Sequence, residues 1–158
     1  MEFVKLGQLD KQIITAFFRD HWGSPEMVIV NGTYQCDELP GFAAVAKGKE
    51  IVGMITYTIV GETCEIISLD SVLERRGIGT RLLTLAEDMA KNMNCTRVKL
   101  VTSNDNILAL GFYQRRGYRI IKIYQNAIDR ARMIKPQIPM KAENGIPIRD
   151  ELLLMKQL

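Results

Sequence analysis

Two glycines one residue apart, Gly77 and Gly79, follow two arginines, Arg75 and Arg76, where an apolar run gives way to a helical pattern. Only glycine lets a backbone fold that tightly and come that near a ligand. The helix beginning there offers first-turn N–H groups and the positive end of its dipole. Together these features make an anion site, most often one for phosphate. The two guanidinium groups add positive charge beside it.

The elements that must carry this turn follow from spacing. Ile78, Leu82, Leu85, Met89 and Met93 form one apolar stripe of a helix for which Asn94 is the expected C-terminal residue. Ahead of the turn, residues 41–46, 51–60 and 64–71 are β-rich runs joined by short glycine turns, an antiparallel meander. Asp10 is expected to cap a helix over 11–21 that buries Ile13, Ile14, Phe17 and Phe18 and ends at Trp22-Gly23-Ser24-Pro25. A short strand over 27–30 meets the Asn31-Gly32 turn, and 33–40 read as a loop. Downstream, a strand over 97–102 is expected to lie parallel to 64–71. A helix over 106–116 is closed by Gly117, and a strand covers 118–124. Residues 127–135 read as helix, 136–147 as an excursion and 152–155 as a last strand. If that strand pairs with 118–124, the stretch over 127–150 is an insertion of the kind that shapes a binding surface.

Composition narrows the classes. The chain has 158 residues, 47% apolar and 25% charged, which suits a single domain over 1–158. Its net charge of +3 is too mild to imply nucleic acid. No apolar run approaches the roughly 20 residues that span a bilayer, and no membrane association is expected. Met1-Glu2-Phe3-Val4-Lys5 lacks a signal-peptide layout, and Cys36, Cys64 and Cys95 form no CxxC pair, so the expected location is cytoplasmic. One histidine, His21, and no Cys/His cluster argue against a metal.

Three phosphate-binding designs compete for the glycine turn. A Walker loop needs GxxxxGK[ST], and no lysine follows either glycine. A dinucleotide fingerprint needs a third small residue where Leu82 stands, and an acidic one near Arg97-Val98-Lys99. The third design fits: the turn resembles motif A, [Q/R]-x-x-G-x-[G/A], of the GCN5-related N-acetyltransferase (GNAT) superfamily. About 27 residues on, Asn106-Ile107-Leu108-Ala109-Leu110-Gly111-Phe112-Tyr113 and then Gly117-Tyr118 resemble the family's N-x-x-A-x-x-F-Y-x-x-x-G-[F/Y]. The match covers residues 51–126. The family's Gln/Arg position holds Glu74 here, so charge at the turn falls to Arg75 and Arg76.

The resemblance implies an α/β (α+β) GNAT fold, a mixed sheet of about six to seven strands flanked by helices and splayed between the fourth and fifth strands. It implies acetyl-CoA as donor, with no metal. Arg75, Arg76, Gly77, Ile78, Gly79 and Thr80 would hold the pyrophosphate, and Leu69, Asp70 and Ser71 would line the pantetheine arm. Asn106 would either contact the cofactor or cap its helix. Ala109 and Tyr113 share its helical face, a small Ala leaving room for the arm, while Leu108 and Phe112 read as core. The reaction would be direct attack of an amine on the thioester. An alkylamine with pKa about 10.4 is almost wholly protonated at pH 7, so a base helps, and Glu65 matches the family's position. Asp70 is the second candidate, on the opposite face by simple alternation. Tyr113 matches the general acid for the leaving thiolate. His21 and Trp22 read as packing residues, with a place in an acceptor pocket still open. The acceptor would be a small-molecule or peptide amine, and the family leaves room for a homodimer. The rival reading is a GNAT-fold module that binds acyl-CoA without turnover.

Overall fold

The computed structural model describes residues 1–73 and 76–158, so the expectations for Glu74 and Arg75 lie outside the described residues. The elements are β1 Glu2–Lys5, α1 Lys11–Trp22, β2 Glu26–Ile29, β3 Gly32–Gln35, β4 Gly41–Val45, β5 Ile51–Val60 and β6 Thr63–Ser71. They continue with α2 Ile78–Asn92, β7 Arg97–Ser103, α3 Ile107–Arg115, β8 Arg119–Tyr124, α4 Ala127–Ile134 and β9 Glu151–Gln157. Seven strands form a mixed sheet in the order β1-β4-β5-β6-β7-β9-β8, and β2 pairs with β3 in a separate ribbon. The chain divides into two compact units, residues 1–27, 35–98 and 158, and residues 28–34 and 99–157.

In the first unit β1, β4, β5 and β6 run antiparallel. β1 was not expected: with four residues and no fully buried side chain, it leaves no periodic trace. Helix α2 lies directly on β5, where a Cβ on Gly53 would sit 2.6 Å from Ile78 Cγ2 and 3.2 Å from Leu82 Cδ1. The buried side of α2 is Ile78, Leu82, Leu83, Ala86 and Ala90. This corrects the expected stripe, for Leu85 and Met89 are half-buried and Met93 is 53% exposed. Alanines let the helix approach the sheet, so the bulkier residues flank the contact. The helix closes with the Schellman bonds, Cys95 N–H to Ala90 O at 2.9 Å and Asn94 N–H to Lys91 O at 3.0 Å, Asn94 having φ +63°. In α1, Ile14, Phe17 and Phe18 are buried, but Ile13, one position off that stripe, is exposed. Asp10 holds the N-cap position without a side-chain bond.

In the second unit β8 and β9 form the expected antiparallel pair, Arg119 opposite Met155 through Tyr124 opposite Glu151. The stretch 33–40, read as loop, instead contains most of β3 and a 3-10 turn, Cys36–Glu38. The excursion after α4 is tied down by Arg132. Its guanidinium donates to the carbonyls of Ile138 (3.1 Å) and Pro139 and to that of Ile148, and pairs with Asp129 at 2.8 Å. Asn104 anchors the far end, giving Nδ2–H to Pro147 O and accepting the N–H groups of Arg149 and Asp150.

Candidate functional site

The pairing of β6 with β5 decides which side chains share a face. Ser68 lies opposite Thr56, yet Ile66 lies opposite Tyr57, so Ile67 is an extra residue on β6. Such a bulge shifts the phase of alternation. Glu65 pairs with Thr58 and Asp70 with Met54, positions four apart on a regular stretch of β5. The two carboxylates therefore sit on the same face, which corrects the expectation that alternation separates them. That face also carries Ser68 and Thr56, whose hydroxyls hydrogen-bond to each other in the buried sheet. Gly53, directed at α2, belongs to the other face, with Ile55 and Tyr57.

Along this polar row the burial differs. Glu65 is 6% exposed and has an interaction partner. Asp70 is half-buried, and its Oδ2 accepts a hydrogen bond from Trp22 Nε1 at 2.8 Å. Burial raises the Asp70 carboxyl above the ordinary carboxylate range, while the Trp22 bond and the nearby His21 pull it back. His21 stacks on Phe17 at 4.2 Å, its Nδ1 lying 2.8 Å from the Phe17 carbonyl. Neither Trp22 nor His21 was placed with Asp70 by sequence spacing, since 48 residues separate the partners. The only cue was the sole tryptophan beside the sole histidine at a helix end. Next to Glu65, the buried Cys64 thiol is pushed up to about 12, mainly by desolvation, and stays protonated at neutral pH.

The glycine turn enters α2 through Gly77, which has φ +69° and occupies the N-cap without any side-chain cap. A left-handed φ is costly for residues with a Cβ. Arg76 and Gly77 are exposed, and Ile78 is buried at the helix start with Gly79 and Thr80 after it. Leu69 and Ser71, with Asp70 between them, end β6 in the same unit. Arg75 lies outside the described residues.

In the second unit Asn106 caps α3, its Oδ1 accepting Ala109 N–H at 3.2 Å. Ala109 is half-buried, and Tyr113 is 7% exposed, its ring meeting Tyr118 edge-on at 5.6 Å. The core reading of the other face is corrected: Leu108 is 85% exposed, and half-buried Phe112 is covered by the Arg116 guanidinium at 3.7 Å. Among the described residues no three or more His, Cys, Asp or Glu gather as a metal site. No described helix is long and apolar enough to cross a membrane.

Comparison with known proteins places these features in context. The family model described as Acetyltransferase (GNAT) family matches residues 11–118. The uncharacterized protein YdhI of Bacillus subtilis (strain 168) is 53% identical over 156 residues, 99% of this chain and 98% of that one. A GNAT family acetyltransferase from Elizabethkingia anophelis, solved with acetyl-CoA bound, is 29% identical with TM-score 0.64, covering 76% of each chain. The IAA acetyltransferase from Bacillus cereus ATCC 14579 shares the fold over 99% of this chain and 100% of its own, with TM-score 0.71 at 21% identity.

Proposed function

Since the chain belongs to the GNAT acetyltransferase family, we propose that it moves an acetyl group from acetyl-CoA to a primary amine by direct attack in a ternary complex. The observation that carries this is the uncapped start of α2 behind left-handed Gly77, a main-chain anion cradle in a chain of this family. The acetyl-CoA held by the Elizabethkingia relative supports the same donor. In this reading Arg75, Arg76, Gly77, Ile78, Gly79 and Thr80 hold the pyrophosphate, and the main chain of Leu69, Asp70 and Ser71 orders the pantetheine. Ala109 leaves room for the arm, and Asn106 contributes through the cap it makes.

The amine gives a proton to Glu65, directly or through solvent, and its lone pair attacks the thioester carbonyl carbon. The oxyanion is met by a main-chain N–H near Leu69. The C–S bond then breaks, the thiolate takes the proton of Tyr113 Oη, and the tyrosinate takes the surplus N–H proton of the attacking nitrogen, leaving CoA thiol and a neutral amide. Cys64, with its thiol pushed up to about 12, is a poor nucleophile, which favours direct transfer over an acyl-cysteine intermediate.

The test is release of CoA thiol from acetyl-CoA over a panel of amines. Tyr113→Phe should lower kcat by roughly 100-fold or more while acetyl-CoA still raises Tm as in the parent. Stabilisation by acetyl-CoA with no thiol released by any amine would make the protein a binding module. No stabilisation at all would sink the cofactor assignment.

A further inference from the structure

We infer that Asp70 and Trp22 form the subsite that receives the acceptor as a primary ammonium, an inference resting on the acetyltransferase reading. The indole Nε1–H holds Asp70 Oδ2 at 2.8 Å. Among the described residues no lysine or arginine forms an ion pair with this carboxylate. A half-buried carboxylate has lost part of its hydration, and one neutral donor does not replace it. His21 pulls on this carboxylate without forming an ion pair with it, and the place left beside the indole suits a further cation. Trp22 is 41% exposed, so a side chain that reaches the carboxylate through its Nε1 edge is also partly open to solvent. Indole faces attract ammonium groups, and a primary ammonium carries three donors for the remaining carboxylate lone pairs.

His21 precedes Trp22 and is fixed by its contacts with Phe17, which set the last turn of α1. Gly23, with φ +80°, ends the helix immediately after Trp22. The strand neighbours of Asp70 are Leu69 and Ser71, the residues assigned to the pantetheine, so the acceptor charge is read next to the donor arm.

Trp22 is the sole tryptophan and reports on its own site. Titration with 1,4-diaminobutane should change its emission saturably, and the neutral diacetyl derivative should not. Asp70→Asn keeps an acceptor for the indole but removes the charge. It should weaken the diamine at least about tenfold, and raise the amine KM comparably, in a protein that still unfolds cooperatively. A diamine response equal in Asp70→Asn, or none in the parent protein, overturns the subsite. Thiol release by the parent protein with an amine KM unmoved in Asp70→Asn also overturns it, while sparing the acetyltransferase reading. Saturable diamine binding that Asp70→Asn weakens, with no thiol release by any amine, keeps the ammonium site and overturns the transferase.

Discussion

The two faces of the β5–β6 pair are built on opposite rules. Toward α2 the sheet presents Gly53, with Ile55 and Tyr57 on the same face, and Ile78 and Leu82 leave no gap at Gly53 for one added carbon. On the other face Thr56, Ser68, Glu65 and Asp70 stand in one row, and three of them are buried. Burying apolar groups stabilises a fold, whereas burying hydroxyls and carboxylates costs unless each finds a partner. One face thus holds the fold together, and the other spends stability on groups suited to chemistry.

The largest expected effect lies on the apolar face. Leu82→Ala should cost about 2–5 kcal/mol in urea unfolding, because the residue is fully buried between α2 and β5. A cost below that of an exposed leucine would erase the distinction between the faces. On the polar face, Thr56→Val leaves Ser68 without its partner and should cost about 1–3 kcal/mol, and adding Ser68→Ala should recover most of it. No recovery in the double variant would mean that the pair is not a closed unit. The smallest effect has the opposite sign, since Asp70→Asn should be slightly more stable than the parent at neutral pH. Because burial raises its native pKa above the ordinary 3.8, Asp70 binds its proton more tightly folded than unfolded. Relative to Asp70→Asn, the parent should therefore lose stability as pH rises from 3.8 through the raised value, and not below it. Melting curves of both proteins across that range check the sign.

Much of this was legible in the chain itself. The helix after Gly77 and the 51–60 and 64–71 strands are long and periodic enough for spacing to place them within a residue or two. Periodicity failed where elements are short, as in β1, or where neighbour size outweighs hydrophobicity, as where Ala86 and Ala90 displaced Leu85 and Met89 from the contact. The shared face of Glu65 and Asp70 had a cue that simple alternation hides. Ile66 and Ile67 are adjacent and both buried, and the polar residues change phase across them. The Trp22–Asp70 bond had no cue in spacing, since it joins a helix end to a strand end 48 residues along the chain.

Arg132 has a consequence for how this chain tolerates change. It grips the 135–149 stretch by the carbonyls of Ile138, Pro139 and Ile148, groups that every amino acid supplies. The path of the loop at those three points is therefore set by main-chain groups, whereas Lys135, which is buried, and Asn144, whose side chain reaches the Asp105 carbonyl, tie the stretch down by their identity.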